Sequence, residues 1–141
     1  MSCSETIFLI LFAVVVWVVA NVIWNANRIR KLARSRPGES YETFRASFAV
    51  DAVPEEILLS VYAKLQWHSS GGFPSRADDC LWKIHRLGAE DFEDAVAEVL
   101  AECHRELPHN FRELGPVVVN TVRDFAMFVE ACPTKTTRRS A

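Results

Sequence analysis

Six carboxylates stand at Glu90, Asp91, Glu93, Asp94, Glu98 and Glu102, inside one segment with the periodicity of a helix. Paired carboxylates perform acid–base chemistry when burial pushes their pKa values apart. Here Glu90, Asp91, Glu93 and Asp94 crowd what reads as a first helical turn, where solvent is the expected surrounding. Nucleophilic chemistry finds no better footing. His68, Ser69 and Ser70 are neighbours in the chain, whereas catalytic serine–histidine pairs are brought together by a fold. The loop holding Gly71 and Gly72 lacks the spacing of a phosphate cradle, and no lysine closes it. Cys80, Cys103 and Cys132 accompany His85, His104 and His109, but no C-x-x-C or H-x-x-x-H spacing occurs. The cysteines read as small apolar side chains, with zinc as the sharper alternative. These residues imply no catalytic group, no cofactor and no metal, and the chain is not expected to be an enzyme.

The remaining chemistry of the six carboxylates is electrostatic. Acids in a first turn are favoured by the helix dipole, by about 0.3–1 kcal/mol each, less their mutual repulsion. They form either a solvated face or a contact surface for a cationic partner. Between Glu39 and Thr134, seventeen Asp and Glu stand against eight Lys and Arg, a balance of −9, although the whole chain carries only −2. Phosphates would be repelled, so nucleic acid is excluded as a direct partner, and a protein with a basic surface fits better.

The elements that must position these residues are helical. Ser40 can cap a short helix in "YETFRASFA", with Tyr41, Phe44 and Phe48 on one face. Pro54 then opens a longer helix whose stripe is Ile57, Leu58, Val61, Tyr62 and Leu65. A long loop and the short apolar segment "CLWKIHRLG" lead to the acidic helix. There Phe92, Val96, Val99, Cys103 and Leu107 share a face, and Pro108 is the expected stop. "NFREL" can form one turn, and "GPVVVN" reads as a short strand or a connecting loop. Thr121 and Asp124 form a capping box for a last helix that buries Val122, Phe125, Val129 and Cys132.

Ahead of this domain lies "IFLILFAVVVWVVANVIW", residues 7–24, with Asn21 its one strongly polar residue. As a helix it is roughly 27 Å long, close to the thickness of the hydrocarbon layer. A cleaved signal peptide is the alternative, but the start carries Glu5 and no cation, and bulky Val22, Ile23 and Trp24 close the run. Arg28, Arg30, Lys31, Arg34 and Arg36 follow the span and place its C-terminal side in the cytoplasm; with Trp24 they form the expected membrane interface. The expected organisation is a short segment (1–6), a transmembrane helix (7–24), a basic juxtamembrane linker (25–39), an acidic helical domain (40–132) and a flexible tail (133–141).

The order of these elements resembles the acyl carrier protein family. That family opens an acidic second helix with Leu-Gly, a small residue, an acid, Ser and Leu, and its last helix often opens Thr-Val-x-Asp. Leu87, Gly88, Ala89, Glu90 and Phe92 match the first motif; Thr121, Val122 and Asp124 match the second. The resemblance covers about residues 53 to 131. It implies a small four-helix, acyl-carrier-like bundle; with the apolar run ahead of it, which like the helix at residues 40 to 49 lies outside the usual carrier, the expected fold is all-α, an N-terminal transmembrane helix followed by that bundle. It also implies docking through the acidic helix, as family carriers meet their enzymes. One position departs from the pattern. The serine that carries the family's phosphopantetheine arm is replaced by Asp91, whose carboxylate cannot act as the attacking hydroxyl, and no serine lies between Ser75 and Ser140. The sequence therefore points to a membrane-anchored, non-catalytic interaction module without a prosthetic arm. The alternative is an accessory subunit of a membrane complex that acts mainly through its transmembrane helix, with Asn21 hydrogen-bonding across a helix pair.

Overall fold

The computed structural model describes residues 3–69, 71–109 and 118–135, and these fall into two units divided between Pro37 and Gly38. All regular structure among them is helical: α1 (Cys3–Arg34), α2 (Tyr41–Ala46), α3 (Glu55–His68), α4 (Ala89–Glu102) and α5 (Val122–Ala131).

The first unit is dominated by α1, whose apolar stretch makes it long and apolar enough to cross a membrane. Its side chains from Ile7 to Trp24 are exposed. The helix does not stop with the apolar run. It continues through most of the expected 25–39 linker, because "NANRIRKLAR" is rich in good helix formers and holds no breaker. Termination comes at residues 35–38: Pro37 lacks an N–H and disfavours helix in the residue before it, and Gly38 turns the chain at φ +75°. Lys31 and Arg34 occupy the last turn, where the helix dipole favours cations.

The second unit is built around α3, which packs on α2, α4 and α5, while α4 also packs on α5. Ile57, Leu58, Val61 and Leu65 of α3 are buried against Phe44 and Phe48, Val96, Val99 and Leu100, and Val122, Phe125 and Val129. Each such side chain contributes about 1.5–3 kcal/mol on full burial. The segment joining α3 to α4 belongs to this core despite lacking regular structure, for it buries Phe73, Ala77, Leu81 and Leu87. It also completes the start of α5. The N–H groups of Val122 and Arg123 donate to the carbonyls of Asp79 and Ala77 at 3.0 and 2.8 Å, and the Leu81 N–H donates to the Asn120 carbonyl at 2.9 Å. Donors that a helix N-terminus leaves unpaired are thus satisfied by a distant loop.

Three expectations need correction. The acidic helix ends at Glu102, well before Pro108, and Leu107 is 45% exposed rather than part of the buried face. His104 takes a left-handed conformation (φ +52°), the Arg105 N–H reaches back to the Leu100 carbonyl at 2.7 Å, and the His104 N–H reaches Ala101 at 3.3 Å. This is a Schellman ending formed without glycine. The chain after residue 132 is not free at its start: Lys135 N–H donates to His104 O at 2.8 Å, and Glu106 N–H to Pro133 O at 3.0 Å. Finally, α2 closes at Ala46, three residues short of "YETFRASFA", yet Phe44 and Phe48 are both buried, as the face they share requires. Val118–Asn120 form no strand and lead into an isolated bridge between Cys80 and Thr121; residues 115–117 of "GPVVVN" and all of "NFREL" lie outside the described residues.

Candidate functional site

The acidic helix opens at Gly88, whose extended backbone leads into α4. Asp91 Oδ2 accepts the Gly88 N–H at 3.1 Å, and a Cβ on Gly88 would come within 3.3 Å of that same oxygen. Asp91 is therefore committed to closing the helix start. Phe92 turns inward, half-buried, and joins an edge-on chain of rings: Trp82 to Phe92 at 5.4 Å, and Phe92 to Phe125 at 5.4 Å. With Phe92 fixed and Ala95, Val96, Val99 and Leu100 buried, the carboxylates are left to solvent.

All six acids are exposed, but they divide by what they touch. Glu98 forms an ion pair with Lys64, and Glu102 accepts a hydrogen bond from the Ser60 hydroxyl. These two, with Asp91, serve the fold. Glu90, Glu93 and Asp94 make no side-chain hydrogen bond or ion pair with any described residue. The pairs Ser60–Glu102 and Lys64–Glu98 also fix the relation of the helices: one turn forward on α3 is one turn back on α4, so they run antiparallel. Between them lies a cleft of about 170 Å³ lined by Leu65, Leu87 and Ala95, with Lys64, Trp67 and His68 on one side and Asp91, Asp94 and Glu98 on the other.

Sequence reasoning missed Lys64 and Trp67. Trp67 is 75% exposed, and the Lys64 Nζ stands 4.7 Å from its ring centre. The available signal was spacing: Leu59, Ala63 and Trp67 recur every four residues on α3, outside the stripe that is buried. An exposed indole beside a carboxylate row offers an apolar contact next to negative charge, which is the chemistry of an interface anchor.

The nucleophile and metal candidates are dispersed into the fold. The Ser69 hydroxyl donates to Leu65 O at 2.9 Å, and the buried Ser75 hydroxyl accepts from Gln66 Nε2 at 3.3 Å. His85 is buried, with its ring stacked on Phe73 and its Nε2 3.5 Å from Asp79 Oδ2. Cys103 and Cys132 are buried free thiols, and burial raises the pKa of each; Cys80 is partly exposed. Among the described residues, no group of three His, Cys, Asp or Glu side chains is placed to hold a metal ion.

In the first unit, Trp24, Arg30, Lys31 and Arg34 are exposed, Arg28 is half-buried with its Nη2 donating to Asn25 Oδ1 at 3.3 Å, and Arg36 is buried. The Asn21 amide donates to the Trp17 carbonyl one turn back at 3.0 Å, within its own helix. Comparison of the chain with protein-family models, with curated proteins and with solved structures returned no match.

Proposed function

We propose that the protein is a membrane-anchored, non-catalytic interaction module whose acidic α4 surface docks on a basic protein partner. The observation that carries this reading is the set of uncommitted charges. Glu90, Glu93 and Asp94 lie exposed on the first two turns of α4 without partners among the described residues, on a domain whose sequence balance is −9 from Glu39 to Thr134. A surface that served solubility alone would mix signs more evenly. In this reading α1 is the anchor, and the cations at Arg28, Arg30, Lys31, Arg34 and Arg36 that follow the apolar run support a cytoplasmic side for the acidic domain.

The likeness to an acyl carrier protein without its arm belongs to the same reading. It is supported by the Leu87–Gly88 entry into α4, by the Thr121–Asp124 start of α5, and by the capping contact of Asp91 at the position of the family's serine. No attachment chemistry is assigned to that carboxylate.

The test compares full-length protein, solubilised in nonionic detergent from its own membranes, with the triple reversal Glu90→Lys, Glu93→Lys and Asp94→Lys. Partners retained by the wild type should be lost from the reversal, and retention should weaken as salt shortens the screening length to about 8 Å. Equal retention by both proteins at low and moderate salt would refute the acidic docking face and move the function to α1.

A further inference from the structure

α3 and α4 together present two parallel rows. On α3, Leu59 (54% exposed), Ala63 and Trp67 (75% exposed) follow one another at one-turn intervals, and none is covered by another element. On α4, Asp94, Glu98 and Glu102 run alongside in the opposite direction. Ser60 and Lys64, the next row of α3, stitch the two together through Glu102 and Glu98. From Leu59 to Trp67 the apolar row is about 12 Å long, slightly more than two helical turns.

We infer that this double row seats a cationic amphipathic helix of at least two turns, with its apolar side chains on Leu59 and Trp67 and its cations on the acidic row. The inference rests on the proposed acidic docking face and adds its apolar half. Charge complementarity selects the occupant. A second copy of the acidic domain would bring like charge to the row, and an anionic lipid surface or nucleic acid would be repelled. The internal pairs add polarity. Lys64 already neutralises Glu98 in the middle of the row, so a partner's cations are repelled there and drawn to the end where Asp94, without an ion-pair partner among the described residues, lines the same cleft as Trp67. The partner helix is therefore expected to gather its Lys or Arg at the end that meets Trp67. Recognition should depend on pattern as well as on total charge.

The probe is a synthetic helical peptide with leucines two turns apart and lysines at one end of the adjacent face. A peptide of the same composition in scrambled, non-amphipathic order is the control. Full-length protein is held in zwitterionic nanodiscs, with empty discs to subtract lipid binding. Wild type should bind the patterned peptide about tenfold or more tightly than the scrambled one. Leu59→Ala with Trp67→Ala, both exposed positions, should abolish that preference, so that patterned and scrambled peptides bind alike. Unaltered protection of the Cys103 and Cys132 thiols checks that the variant is folded. Equal binding of both peptides by wild type, or an unweakened Leu59→Ala, Trp67→Ala variant, overturns the inference. If the Glu90→Lys, Glu93→Lys, Asp94→Lys protein then still loses peptide, the acidic face stands without its apolar half. If it binds as wild type does, both readings fall.

Discussion

Replacing Asp124 with alanine should cost the acidic domain about 3 kcal/mol at neutral pH. Its Oδ2 accepts the backbone N–H groups of Thr121 at 2.9 Å and Asn120 at 3.1 Å, while its own N–H donates to the Thr121 hydroxyl at 3.1 Å. A hydrogen bond to a charged group is worth about 1.5–3 kcal/mol net; because this carboxylate is only partly buried, the lower end applies to each of the two. The carboxylate at the helix start adds a few tenths more through the dipole. Against a domain stability of about 5–15 kcal/mol this is a large fraction. Asp124→Asn keeps an acceptor but loses the charge, and should cost about 1 kcal/mol. The pH dependence has a definite sign. Burial alone would raise the Asp124 pKa, but the hydrogen bonds from Thr121 and Asn120, with the nearby Arg123 charge, bring it below the ordinary 3.8. A depressed native value stabilises the fold above the unfolded pKa, and that contribution disappears as pH falls through the native value. The gap between wild type and Asp124→Ala should therefore be constant at neutral pH and shrink below about pH 4. The assay is urea unfolding of the full chain in nonionic detergent. At neutral pH it is read by pulsed labelling of the buried Cys103 and Cys132 thiols, and across the acid range by tryptophan fluorescence. A gap under about 0.5 kcal/mol at pH 7, or one that widens on acidification, would refute the reasoning.

Two further outcomes follow from the geometry. His104→Gly should stabilise the domain by about 0.5–1 kcal/mol, since a non-glycine residue in the left-handed region costs about 1–2 kcal/mol and the added freedom of the unfolded glycine offsets part of the relief; the same urea titration measures it, and a destabilised variant would show that the His104 side chain contributes more than its backbone strain costs. The full-length chain should resist alkaline extraction from membranes, with Cys80 open to a membrane-impermeant thiol reagent only after the cytoplasmic face is exposed. A soluble product lacking the first two dozen residues would identify the N-terminal segment as a cleaved signal instead.

Local rules were sufficient for most helix starts and for the buried faces. Ser40, Pro54, Gly88 and Thr121 each act on the few residues that follow, and the apolar spacing of Ile57, Leu58, Val61 and Leu65 names the face that must be covered. Helix ends were harder to read where the breaker was not a glycine or proline. At α4 the chain turns at His104, a residue type with no strong preference for ending a helix, and pairing of residues 104–106 with 133–135 holds it there. The candidate site divides in the same way. That α4 is acidic and presents Glu90, Glu93 and Asp94 to solvent was legible, because burying uncompensated charge is prohibitive and Phe92, Val96 and Val99 had to face inward. Which acids are spent on the fold was not legible. Glu98 and Glu102 look identical to Glu93 in a string of letters, and only the antiparallel packing of α3 brings Lys64 and Ser60 to them. The exposure of Trp67 belongs to the same class. Sequence sets the period at which side chains recur around a helix, whereas the neighbours that reach each face are set by contacts between residues distant in the chain, and those exist only once the tertiary structure has formed.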